Sequence, residues 1–197
     1  MIDKIPLIYK TYQKEDGMLV VEFQKEELIL EGEVTCTYQD GAIYKGFFKS
    51  GHFHGAGIYF WLDGSRYEGQ WENDLPHGFG TMLLHDGYRY EGEWQKGVAH
   101  GEGRETLPDG GRYTGQWSKG LKNGQGEIIF RDGKKYSGEW KENMQHGKGI
   151  LTFTDGSRYE GEWIEGRITS RGTLSVLDGK SYMGEWREGK FNIIGGR

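Results

Sequence analysis

The sequence predicts an all-β protein: an elongated, twisted single antiparallel meander sheet built of seven 23-residue β-hairpin repeats. Three observations carry that expectation. Glycine is abundant, at 35 of 197 residues, while proline is scarce, at 3. Each glycine inside a helix costs about 0.8–1.0 kcal/mol relative to alanine, whereas the tyrosines and tryptophans that enrich the chain favour strands. The second observation is a strict period. Tyr44, Tyr67, Tyr90, Tyr113, Tyr136, Tyr159 and Tyr182 lie 23 residues apart, and each is followed four residues later by Phe48, Trp71, Trp94, Trp117, Trp140, Trp163 or Trp186. The third is the alternation within each period, because a side-chain period of two is the mark of a half-buried strand.

The outgoing strand of each repeat reads Tyr-x-Gly-x-Trp, with glycine at 46, 69, 92, 115, 138, 161 and 184. Residues spaced by two share one face. The positions between them are polar, as with Glu68 and Gln70 or Thr114 and Gln116. The return strand also alternates: Gly124, Gly126, Ile128 and Phe130 are in one phase, and Gly147, Gly149, Leu151 and Phe153 repeat it. An Asp-Gly pair, from Asp40-Gly41 to Asp178-Gly179, then turns the chain into the next repeat, as hairpin connections do. Each repeat is therefore strand, loop, strand, turn. Strand glycines imply a close approach; here the Tyr and Trp rings lie over bare backbone next door. Fourteen strands at about 4.8 Å each span about 67 Å.

The termini are less regular. Copy six has Ser170 in place of the first Gly of its Gly-x-Gly pair, and copy seven ends early. Residues 1–35 read as an N-terminal cap with a degenerate repeat, and residues 36–197 as the repeat domain, its last repeat truncated. Atypical end repeats are what capping requires.

These residues resemble the MORN family (membrane occupation and recognition nexus). The segments YEGEWQKGVAHGEG at 90–103 and YSGEWKENMQHGKG at 136–149 match its motif nearly residue for residue. The resemblance covers about Asp40 to Gly195, with Phe48 in place of the first Trp as a departure. It implies a meander sheet, in some members paired into homodimers. It also implies work in cytoskeletal and ciliary assemblies, at membrane junctions, or as an appendage of lipid kinases and a histone methyltransferase.

Function classes can be weighed residue by residue. A general acid–base pair needs a pocket that shifts its pKa values, and nothing interrupts the repeat to form one, so no catalytic residue and no enzyme activity are expected. His54, His77, His100 and His146 occupy one column, but neighbours in it are about 9–10 Å apart, too far to converge on one zinc ion. No metal is expected. The Gly-x-Gly pairs lack the spacing of a phosphate cradle, so no cofactor is expected. The net charge of −5 argues against nucleic acid.

Two binding surfaces remain. A single sheet cannot cover both its faces, which leaves an aromatic face for a protein partner along Tyr90, Trp94, Tyr113, Trp117, Tyr136, Trp140, Tyr159 and Trp163. The alternative is a membrane tether, with Arg66, Arg89, Arg112, Lys135 and Arg158 forming a basic column for anionic phospholipids. Cross-strand pairing with Glu68, Glu91, Glu93, Glu139 and Glu160 is the simpler reading of that column. At the C-terminal edge, Trp186, Phe191, Ile193 and Ile194 belong to a half-finished hairpin and are expected to form a weak two-fold dimer. The single Cys36 offers no intramolecular disulfide, and neither a signal peptide nor a membrane-length apolar run is present. The expectation is therefore a cytoplasmic, cytoskeleton-associated scaffold, with the cilium or flagellum as a specific setting.

Overall fold

The computed structural model describes residues 9–13, 19–23, 32–38, 40–187 and 190–196, and every regular element among them is a β-strand. Strands β1 (Tyr9–Gln13) and β2 (Leu19–Phe23) form a separate two-stranded ladder. The other 15 strands follow one another in strict chain order in an antiparallel meander. They are β3 (Gly32–Thr37), β4 (Ile43–Lys49), β5 (His52–Phe60), β6 (Arg66–Glu72), β7 (Leu75–Leu83), β8 (Arg89–Gln95), β9 (Val98–Thr106), β10 (Arg112–Ser118), β11 (Leu121–Ile129), β12 (Lys135–Lys141), β13 (Met144–Thr152), β14 (Arg158–Ile164), β15 (Arg167–Ser175), β16 (Ser181–Arg187) and β17 (Lys190–Gly196). The chain divides into two compact units, 1–98 and 99–197.

The sheet has one strand more than the expected fourteen. Gly32–Thr37 pairs with β4, so a return strand precedes the first full repeat. At the other end β17 pairs with β16 from Arg187 opposite Lys190 to Tyr182 opposite Gly196. With seven residues against nine in β5, β7, β9, β11, β13 and β15, β17 is a shorter return strand. The expected fold of Leu28-Ile29-Leu30 over the first edge lies outside the described residues.

Each repeat uses two kinds of turn. Inside the repeat, pairs such as Asn73-Asp74, Lys96-Gly97, Lys119-Gly120 and Glu142-Asn143 both have positive φ, the backbone of a type I′ hairpin turn that follows the twist of its strands. Asp-Gly, the usual signature of that turn, instead sits in the wider connection between repeats. There the glycine takes positive φ, as at Gly64 (88°) and Gly133 (85°). The aspartate accepts the backbone N–H two residues on, as Asp63 does from Ser65 (2.8 Å) and Asp132 from Lys134 (3.0 Å). The type I′ turns are also laced to the hairpin before. Asp74 accepts from Phe53 N–H (2.7 Å), Asn143 accepts from Lys122 N–H (2.9 Å), and Gly166 N–H donates to the Gln145 carbonyl (2.9 Å).

The two glycines of Gly-x-Gly do different jobs. Between β10 and β11 the register runs from Gly115 opposite Gly126 to Trp117 opposite Lys122, so Asn123, Gly124 and Gln125 face the single residue Gln116. This bulge needs a positive φ at its centre, and Gly124 supplies it at 100°, as Gly78 does at 65° and Gly147 at 56°. The second glycine lies under the tyrosine. A Cβ on Gly126, Gly149 or Gly80 would overlap the ring of Tyr113, Tyr136 or Tyr67.

The bulge strands polar groups that the repeat then satisfies. The Tyr113 hydroxyl donates to the Gln116 carbonyl (3.0 Å), and Tyr44, Tyr67, Tyr90 and Tyr136 do the same to Phe47, Gln70, Glu93 and Glu139. The side chains of Gln70, Gln116 and Glu139 accept the N–H of Phe79, Gln125 and Lys148. These polar positions are thus hooks that hold the bulge closed. Copy six differs: the Thr169 hydroxyl takes the Glu162 carbonyl (2.9 Å), and Tyr159 has no hydrogen-bond partner among the described residues.

Candidate functional site

The aromatic face is a ladder of edge-to-face rings. Tyr67 sits between Trp71 and Trp94 with ring centroids 4.9 and 5.2 Å away; Tyr113 between Trp117 and Trp140 (5.4 and 5.1 Å); Tyr136 between Trp140 and Trp163 (5.4 and 4.9 Å). Such pairs add about 0.5–1.5 kcal/mol beyond their burial. The indole N–H of Trp71, Trp94, Trp140 and Trp163 donates to the carbonyl of the glycine fourteen residues earlier, which ties each repeat to its predecessor.

Of the eight aromatics expected to meet a partner, Tyr90, Tyr113, Tyr136 and Tyr159 are at most 1% exposed and Trp117, Trp140 and Trp163 at most 6%. Trp94 is half-buried. A ligand on this face would meet ring edges at its rim and not a row of open rings.

Sequence reasoning missed one feature of this face. The Lys122 amine lies 2.5 Å from the Glu105 carboxylate, with side chains 12% and 7% exposed. It also sits over the rings of Tyr113 (5.1 Å), Trp117 (5.6 Å) and Trp140 (6.0 Å). The signal was in the columns. Positions equivalent to Glu105 hold Tyr59, Met82, Ile128, Leu151 and Leu174, and those equivalent to Lys122 are uncharged. Removing one partner leaves a charge in an apolar setting. Glu105→Ala is therefore expected to cost about 2–3 kcal/mol, somewhat below the usual loss for a buried pair, since the long lysine stem can carry its amine to water. Replacing both, Glu105→Leu with Lys122→Met, should restore wild-type stability. Equal midpoints in urea for the single and double variants would refute this account.

The opposite face is mixed, with exposed Phe60, Ile129 and Ile150 set directly opposite Arg66, Arg112 and Glu160. Along the basic column, Arg89 pairs with Glu91 (2.8 Å) and Lys135 with Glu127 (2.7 Å), while Arg66, Arg112 and Arg158 are exposed. The first pair lies within β8 and is not cross-strand; the second is cross-strand and reaches Glu127 on β11. Exposed pairs of this kind contribute about 0–1 kcal/mol. Two shallow troughs run over the glycine column. One, of about 500 Å³, has Gly46, Gly57 and Gly69 as its floor; the other, of about 740 Å³, has Gly138, Gly149 and Gly161.

At the C-terminal end Trp186 packs on Phe191 (5.8 Å), and both approach Tyr159. Ile193 and Ile194 are 59% and 57% exposed. Among the described residues no three His, Cys, Asp or Glu side chains gather to hold a metal ion. Among the described residues no helix is long and apolar enough to cross a membrane.

A chain of hairpins, most of them clamped by a tyrosine and four stapled to the one before by a tryptophan, defines an all-β repeat protein. The MORN repeat model matches residues 44–66, 67–87, 90–112, 113–135, 136–158, 159–175 and 182–192, and the chain belongs to the MORN-repeat family. No curated protein matches it in sequence. Among solved structures it is similar to the TCP domain of Drosophila melanogaster SAS-4 (dCPAP) in complex with a proline-rich motif of Ana2 (dSTIL). That match has 11% identity and a TM-score of 0.53, covering 90% of this chain and 90% of that one. It is also similar to the TCP10 domain of Danio rerio CPAP bound to a peptide of STIL, at 12% identity and a TM-score of 0.52, covering 96% and 98%. The G-box domain of the microcephaly protein CPAP gives 12% and 0.52, covering 93% and 96%. At these identities the likeness is one of fold.

Proposed function

We propose that this chain is a non-enzymatic scaffold that holds protein partners along its sheet within a cytoskeletal assembly, with centrioles and cilia as the setting. The observation that carries the reading is the self-sufficiency of the repeat. Most of the tyrosine hydroxyls and bulge carbonyls are satisfied inside their hairpins, and four indole N–H groups by the hairpin before, so the aromatic ladder is a frame. What varies from copy to copy is the exposed set of side chains the frame spaces out. In this reading Tyr90, Tyr113, Tyr136 and their tryptophans set that spacing, and the rim of Trp94 is open to contact. Domains of similar fold that hold partner peptides support the same reading.

The test is proximity labelling with the full chain in ciliated cells, beside a variant with Arg66, Arg112 and Arg158 changed to Gln. Labelling of centriolar or axonemal proteins by both is the expected result. Labelling confined to membrane proteins, abolished in the variant, would overturn the proposal in favour of the lipid tether. That binding would also fall with salt.

A further inference from the structure

Resting on the scaffold reading, we infer that the face of repeats one and two opposite the aromatic ladder carries a docking site for an extended protein segment. That segment has two apolar side chains four residues apart, with basic residues outside them. The starting point is two exposed rings. Phe47 is 48% and Phe79 66% exposed, so neither serves the core. Other copies have Gln70, Gln116 or Glu139 where Phe47 stands, and Gln125, Lys148 or Arg171 where Phe79 stands. The phenyls are departures from the repeat at two positions that are polar in most of the other copies.

The register puts both rings on one row across the sheet. Glu33 on β3 is opposite Phe47 on β4. The Phe47 Cβ lies 3.7 Å from where a Cβ on Gly55 of β5 would be. The next residue, Ala56, is opposite Gln70 on β6, whose side chain accepts the N–H of Phe79 on β7 (3.1 Å). Phe79 is opposite Glu93 on β8. The row therefore reads Glu, Phe, Ala, Gln, Phe, Glu. Between the rings the floor is low, because Ala56 is small and the Gln70 side chain is drawn back to the backbone. A trough of about 500 Å³ runs beside it.

The spacing selects the ligand's conformation. Three inter-strand spacings separate the rings, about 14 Å, which is also the reach of four residues of extended chain. In such a chain side chains four apart point the same way. The charge selects its composition. Glu33 and Glu93 close the ends of the row, and the adjacent row adds Glu68 beside Lys45, and Glu91, which Arg89 pairs. An apolar segment with lysine or arginine beyond each anchor complements that pattern, and an anionic membrane does not.

Selection of displayed random 12-residue peptides on the full chain tests the site, with counter-selection on Phe47→Gln/Phe79→Gln, which installs the glutamine that other copies carry. The expected peptides show the i, i+4 apolar pair with basic flanks. A synthetic representative should bind the double variant at least about ten-fold more weakly, and binding should weaken between about 50 and 500 mM NaCl. Three results would overturn the site: no enrichment, acidic flanks, or equal binding to the variant. So would sedimentation with phosphatidylserine vesicles that depends on the same two phenylalanines. Proximity labelling that persists unchanged in the double variant would leave the scaffold reading standing while removing this surface from it.

Discussion

Raising the pH from about 9 to about 12 is expected to unfold the protein over a narrow interval, with tyrosine ionisation as the cause. Burial pushes the hydroxyls of Tyr44, Tyr67, Tyr136 and Tyr159 up, Tyr136 to about 12, and all four side chains are fully enclosed. In the unfolded chain they ionise near pH 10. A folded value above the unfolded one means the stabilisation is complete below pH 10 and is lost as pH rises toward the folded value. Each enclosed tyrosine contributes a slope of about 1.4 kcal/mol per pH unit, so the four together remove about 5 kcal/mol per unit. Tyrosinate absorbance and loss of the β-sheet circular dichroism signal should therefore appear together. Ionisation near pH 10 with the sheet intact would show that the rings are open to water. Tyr136→Phe should flatten the slope by about a quarter.

Trp140→Ala is the second large effect, expected to cost about 3–5 kcal/mol. Trp140 is 5% exposed. It presents its edge or face to Tyr113 and Tyr136 and donates to the Gly126 carbonyl (3.1 Å). Its loss leaves a cavity between two repeats and an unmet carbonyl at the bulge. Urea denaturation monitored by circular dichroism reads the cost. A midpoint within experimental error of wild type would show that the ladder does not join the repeats.

Much of this fold was legible because the repeat multiplies every local signal by seven. The tyrosine, glycine and tryptophan columns predicted strands, faces and the close approach of ring to backbone, and all are present. The bulge was not legible. Period-two counting treats Gly124 and Gly126 as equivalent, whereas one supplies a positive φ and the other accommodates a ring. The type I′ turns were hidden because their residues differ in each copy: Asn73-Asp74, Lys96-Gly97, Glu142-Asn143. At the candidate sites, alternation shows which face Tyr113 is on but not whether neighbouring indoles enclose it. Phe47, Phe79, Glu105 and Lys122 were visible throughout as exceptions in their columns. Their meaning depends on which strands lie beside them, and that requires the register.

The tryptophan staple has a consequence for how such a chain changes over generations. The indoles of Trp71, Trp94, Trp140 and Trp163 each reach back fourteen residues to a glycine of the copy before, so those four joints between copies are alike. Unequal recombination that gains or loses a whole copy leaves every remaining joint intact, and array length becomes a heritable variable. The Glu105–Lys122 pair breaks this interchangeability, because excising either copy would leave one buried charge unmatched. It gives two otherwise anonymous modules a fixed address, and duplications are expected to accumulate on either side of it and not across it.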